Sequence, residues 1–460
     1  MLTTTRAKLR LRSLAAIAIT GLAAVSLAAC SSSSSGGTTG SATSGNVTWW
    51  GWTPQPNNAS AYIKAFNSVY PKIHVTYKQV TIDGWNAALR PALASNDGPD
   101  VYDIAPGAGL QEFGGSAIDL TPAIKAALGS DWKSKVAPIG IKGLTTSGGK
   151  LAALSVGSTF AGPLWINESM FKKYNLTPPT TLDEWTKDCA VFQSHNVGCF
   201  VQGAGQVAFN QDTLQAISDS IKPGVWTAAS EGTTKWTNPT IVKALAIWKQ
   251  LFTDKIMEDG AIGVQQYPDA DNDFLSQKFA MVMMGTWYMQ YATTAGMVPA
   301  ISAAGVGTPT PFSIVPIPFP DVDGSGHTGG ALFGDSDYGL AVNSKSKVKA
   351  AATTFVTWLT TSVKGQQAIA NALNDIPALN GVKPQWASIE MPSKGTQQAP
   401  IQKLIEQAGT VSEPRLSLIS ANLQTAIGVA STTVAAGQDT PAQAAATLQA
   451  SAVASGEKFK

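Results

Sequence analysis

Residues 148–185 read GGKLAALSVGSTFAGPLWINESMFKKYNLTPPTTLDEW, and the reading of this stretch decides the fold. A Gly148-Gly149 turn leads into an apolar extended run that passes Gly157 and Gly162 and ends at Asn167. A short helix, MFKKYNL, follows and stops before Pro178-Pro179. A second helix then opens with Thr181 and Glu184 three residues on, the spacing of a capping box. So long an extended segment, loosened by Gly and Ser, predicts a strap between two lobes.

Upstream, the chain alternates. Val47 to Trp50 is a short β-like run ended by Gly51, and residues 60–70 carry Tyr62, Ile63, Phe66 and Val69 at helical spacing. Ile73, Val75 and Tyr77 alternate as in a strand. Asp83 is placed to cap the helix GWNAALRPALAS, which contains Pro91, and a turn at 97–100 precedes the strand VYDI. The order β-α-β-α-β belongs to an open α/β sheet. In such sheets the strand-end loops converge on one crevice; here they are 51–54, 81–83 and 105–109.

The start of the chain has its own logic. Arg6, Lys8, Arg10 and Arg12 precede an apolar run from Leu14 to Ala29, the pattern of a signal peptide over residues 1–29. The exit Leu27-Ala28-Ala29-Cys30 resembles the bacterial lipobox, which implies a diacylglycerol on Cys30; two acyl chains anchor stably where one does not. Residues 30–45, mostly Ser, Gly and Thr, read as a flexible tether. Loss of residues 1–29 lowers Lys+Arg from 32 to 28 against 30 Asp+Glu, so the formal charge moves from +2 to −2. That balance excludes an electrostatic nucleic-acid partner. Cys189 and Cys199, an even pair at close spacing in an exported chain, suggest a disulfide; the alternative is two buried thiols.

Catalytic patterns are sparse. The histidines, His74, His195 and His327, show no metal or triad spacing. Residues 334–339, GDSDYG, are one residue too long for a nucleophile elbow. Residues 203–208, GAGQVA, mimic a dinucleotide fingerprint but read as a loop. Asp269, Asp271 and Asp273 start like a calcium loop, yet Phe274 and Ala280 occupy the positions that need Gly and Glu; a helix N-terminus accounts for them better. Thirteen tryptophans stand out instead. Flat indole faces suit the C–H faces of a pyranose, and the indole N–H can bond a hydroxyl. Trp50, Trp52, Trp165 and Trp287 lie beside expected loops and are candidate platforms, whereas Trp49, Trp185, Trp248 and Trp358 read as core. Asp83, Asp335 and Asp337 are candidates to fix hydroxyls, the last two equally suited to turn capping, and Arg415 is a candidate at the rim.

The opening stretch resembles the "GKLYGLP…PLYYNKDLF…GL…PPTTWDE" region of family 1 extracellular solute-binding proteins, the ligand-capturing components of ATP-driven sugar importers. FNSVYPKIHV, LASNDGPDVYDIAPG and AIDL are similar to further family segments, as are FLSQKFAMVMMGTW (274–287) and IVPIPFP (314–320) with Gly329-Gly330. Ile166-Asn167 departs from the family's Tyr-Asn. The resemblance implies a two-lobed periplasmic-binding-protein-like α/β fold of type II, each lobe a sheet flanked by helices and joined by crossover strands. The expected lobes are 46–158 with 328–375, and 159–327 with 376–460. It also implies a monomer without cofactor that binds a carbohydrate and meets permease subunits at the membrane. An exported glycoside hydrolase and a surface adhesin are the alternatives.

Overall fold

The computed structural model describes residues 40–327 and 332–459. The signal peptide, Cys30 and the Gly329-Gly330 pair lie outside the described residues. Gly40 to Ser44 belong to the folded body, not to a tether: Ser41 and Ser44 close a tight turn, and Thr354 Oγ1 donates to the Ala42 carbonyl at 2.8 Å.

The strands, in chain order, are β1 (Gly45–Gly51), β2 (Ile73–Gln79), β3 (Val101–Ile104), β4 (Leu154–Ser155), β5 (Gly157–Ala161), β6 (Leu164–Asn167), β7 (Gly198–Val201), β8 (Phe279–Met283), β9 (Ile314–Ile317), β10 (Phe333–Ser336), β11 (Gly339–Val342) and β12 (Ile376–Pro377). Lobe 1 holds a five-stranded sheet in the order β2-β1-β3-β11-β4, and lobe 2 a four-stranded sheet, β7-β8-β6-β9. A three-stranded sheet, β10-β5-β12, stands where the chain passes between them. The opening stretch therefore supplies one strand to each of the three sheets.

Local chemistry explains the layers. On β1, Val47 and Trp49 point into the lobe 1 core, where Trp49 packs on Tyr77 and Phe355 at centroid distances of 4.5 and 5.6 Å. In lobe 2, successive residues of β8 and the Met284 that follows it enter two different cores: Met281 and Met283 join Trp185 and Phe200 on one face, while Val282 and Met284 join Trp165 and Tyr288 on the other. A sheet covered on both faces reads as the continuous apolar run AMVMM. Trp49, Trp185 and Trp248 are fully buried and Trp358 nearly so, all in the core.

The Thr181 cap differs in detail from a capping box. Thr181 Oγ1 accepts from Glu184 N at 3.2 Å, but the Glu184 carboxylate reaches one residue further out, to the N–H and hydroxyl of Thr180 at 2.8 and 2.7 Å. Behind it, Cys189 on helix Leu182–Ser194 is disulfide-bonded to Cys199 on β7, with a Cα separation of 4.9 Å. The ten-residue separation implies about 2–3 kcal/mol of stabilisation. Cys189→Ser should lower lobe 2 stability by that amount in a denaturant melt; an unchanged midpoint would show that packing alone holds the helix.

Candidate ligand-binding crevice

Loops at the ends of β1, β2 and β3 meet lobe 2 directly. Gly107 has φ of +68°, and a Cβ there would fall 2.3 Å from the Leu416 carbonyl, so the 105–109 loop needs glycine to abut the 414–419 segment. Asn58 Nδ2 donates to Gln290 Oε1 at 3.0 Å, and Gln55 Nε2 donates to the Tyr291 hydroxyl at 3.2 Å. Asp83 does not cap its helix: the N-cap of Trp85–Ala94 is Gly84, without a side-chain cap. Its carboxylate instead accepts from Gln206 Nε2 of lobe 2 at 2.6 Å. Asp83→Ala and Gln206→Ala should each open the lobes by about 1 kcal/mol, read as an increased radius of gyration in solution scattering. If the double mutant adds the two effects in full, the bond is not what links them.

Across the crevice, Gly285 ends β8 and Trp287 follows. The Trp287 indole is half-buried; its Nε1 donates to the Tyr267 hydroxyl at 3.1 Å. The Arg415 guanidinium lies 4.6 Å from the Trp287 ring centroid, a cation–π contact. Arg415 is held in turn by Asp212, with Nε and Nη2 each 2.7 Å from a carboxylate oxygen. Asp335 fixes the loop that carries it: one oxygen accepts from the backbone N–H groups of Arg415, Leu416 and Ser417 at 3.0, 2.6 and 3.0 Å.

On the lobe 1 side, Trp52 meets Trp85 and Tyr338 edge-on at 5.2 and 6.1 Å. Below lie Asp103, Asp337 and Asp375. Asp337 accepts from Thr159 Oγ1 on β5 at 3.0 Å, and its backbone N–H donates at 3.0 Å to the carbonyl of Gly157, the residue against which the Asp375 side chain packs. Burial pushes both carboxyls up. Thr159 and the Arg415 guanidinium hold Asp337 back, while Asp337 pushes Asp375 further up. Asp103 is also driven up by burial, partly offset by the Trp49 indole N–H at 2.9 Å.

Elsewhere in lobe 2, burial pushes Asp271 up to about 7, and Asp219 and Glu258 up to about 8. Their folded pKa values exceed their unfolded ones, so the folded state holds protons that the unfolded chain releases. This stability is lost as pH rises through the folded values. The melting temperature should therefore fall between about pH 5 and about pH 8, and Asp219→Asn should flatten the slope; a profile that does not change with pH would show that these groups ionise freely.

Residues 50–366 match the family described as bacterial extracellular solute-binding protein. The chain belongs to that family. No curated protein matches it. Among solved structures, this solute-binding protein is similar to one from Caldanaerobius polysaccharolyticus described in connection with xylan utilization (TM-score 0.72, 19% identity, covering 88% of this chain and 99% of that one). It is likewise similar to the GacH receptor of Streptomyces glaucescens, solved unliganded and with acarbose (0.68, 19%, 91% and 100%). Maltose-bound T. maritima MalE3 is a third such structure (0.68, 18%, 88% and 98%). At these identities the likeness shows the fold, which is the two-lobed α/β architecture.

The solute-binding protein brings Trp52, Asp83, Trp287, Asp337 and Arg415 to the crevice. Three expected positions need correction. Trp165 is fully buried and its indole donates to the Gly285 carbonyl at 3.0 Å, which makes it a lobe 2 core residue that fixes the turn before Trp287. Trp50 points to the face of β1 opposite Trp49, and the Lys78 ammonium sits 3.9 Å above its ring. Arg415 is not at the rim, since only 11% of its side chain is exposed. Asp335 serves as a loop anchor. Sequence reasoning missed Asp212, Tyr267 and Asp375; the one available signal was an acidic residue inside an otherwise apolar segment, as at Asp103 in VYDI. Among the described residues there is no cluster of three His, Cys, Asp or Glu able to hold a metal, and no helix long and apolar enough to cross a membrane.

Proposed function

We propose that this solute-binding protein captures a carbohydrate between its lobes and delivers it, unaltered, to the permease of an ATP-driven importer. Cys30 would carry the lipid anchor that keeps the monomer at the outer face of the cell membrane. The lobes in this reading are 46–158 with 328–375 and 159–327 with 376–460. The observation that carries it is Trp287, a half-buried indole clamped by Tyr267 and Arg415 at a strand exit. It lies in the same crevice as the buried carboxyls and phenols of lobe 1. An apolar ring face beside buried hydrogen-bonding groups matches the amphipathic surface of a sugar.

Binding rather than hydrolysis fits the acids. Asp337 N donates to the Gly157 carbonyl at 3.0 Å and the Asp375 side chain packs on Gly157, so the two acids sit side by side on the hinge sheet instead of flanking a scissile bond as glycosidase carboxyls do. The named ligands of the structural neighbours, acarbose and maltose, are sugars. Differential contact with the closed arrangement would shift the hinge equilibrium. A thermal-shift screen tests the reading: a sugar at 100 times its Kd should add about 2.7 kcal/mol of stability. A panel in which no sugar shifts the melt, while amino acids or peptides do, would overturn it.

A further inference from the structure

The crevice has an unusual balance of charge and unmet hydrogen bonds. Lobe 1 and the hinge sheet place Asp103, Asp337 and Asp375 together, and each lies within electrostatic reach of Tyr338. Arg415 is the cation that faces them, and its guanidinium is already engaged by both oxygens of Asp212. A second, independent observation concerns the phenols. Tyr62 and Tyr338 are fully buried, and neither hydroxyl has a hydrogen-bond partner. Both lie within electrostatic reach of Asp375 and Asp337. Asp375 Oδ1 and Asp103 Oδ2, in side chains 2% and 0% exposed, are also unpartnered. Buried polar groups left without partners are costly, so four together mark a place built to receive one.

The kind of partner follows from the donor and acceptor inventory. Carboxylates only accept, and phenols can accept. A sugar hydroxyl uses donors and acceptors alike, whereas an ammonium offers three donors and a charge that offsets the carboxylates. A uronic acid would meet like charge. A bare metal ion is poorly served, because among the described residues no three such side chains gather closely enough to ligate one. We propose that the crevice selects a sugar bearing a protonated amino group, seated between Asp337, Asp375 and the Tyr62 and Tyr338 hydroxyls. Asp337 is half-buried, the most exposed of these four side chains.

This inference rests on the carbohydrate reading, and calorimetry separates the two. Neutral mono- and oligosaccharides are titrated first, each followed by its 2-amino-2-deoxy counterpart, its N-acetyl form and the matching uronic acid. The amino form should bind about ten-fold or more tighter than the neutral and N-acetyl forms. Asp337→Asn and Asp375→Asn should each remove most of the preference. Equal or weaker binding of the amino form would overturn the inference and leave the carbohydrate reading standing. A preference that survives both substitutions would also overturn it. No binding by any sugar would overturn both. The wild-type comparison decides the matter even if neither variant folds.

Discussion

Arg415→Met is expected to cost about 3–5 kcal/mol of stability, the largest effect of any single substitution at the crevice. The guanidinium makes two 2.7 Å hydrogen bonds to Asp212, whose side chain is 2% exposed on helix Val207–Ile221. Without it, an uncompensated carboxylate remains in the lobe 2 interior. Burial already raises the Asp212 pKa even with Arg415 present, so the variant carboxyl should take up a proton. The loss should therefore be smaller in mild acid than at alkaline pH. Denaturant midpoints measured across pH check this, and Asp212→Asn in the Arg415→Met background should restore most of the loss. A cost under about 1 kcal/mol would mean that the pair behaves as a surface salt bridge.

Trp287→Ala is expected to weaken sugar binding by about 2 kcal/mol, roughly 30-fold in Kd. The substitution removes the stacking face and leaves Tyr267 without the indole donor at 3.1 Å. Calorimetry with whichever sugar stabilises the wild type provides the measurement. Trp50→Ala is the control, because its ring is occupied by Lys78 on the other face of β1 and should leave the Kd unchanged. Equal losses in both variants, or none in Trp287→Ala, would place the sugar elsewhere.

The crossover was legible because its signals are local. Gly157 must be small, since a Cβ there would lie 2.5 Å from the Asp375 Cβ, and Gly162 adopts φ of +121°. A run of extended residues interrupted at two such points is visible without any partner. The first hundred folded residues were legible for the same reason, through alternation on β2 and helical spacing after β1. The site resisted because its pairings are remote. Asp212 and Arg415 lie 203 residues apart, and Asp83 and Gln206 lie 123 apart. Trp165 and Trp287 both flank apolar strands of a sheet covered on two faces, so neighbouring polarity could not show which indole is enclosed. Asp83 misled through proximity: it precedes a helix, yet its nearest useful donor belongs to the other lobe.

One consequence follows from where Gly40 and Phe459 are seated. Gly40 packs on Val348 at the start of a lobe 1 helix, with Val348 Cγ1 3.1 Å from where its Cβ would stand. Phe459 packs on the lobe 2 core, and the Lys458 carbonyl closes over Gly232. Gly40 and Phe459 thus ride on different halves of the clamp. Donor and acceptor dyes fused just outside these two residues would convert every bending of β10-β5-β12 into a change in energy transfer, making the protein a ratiometric gauge of its own occupancy.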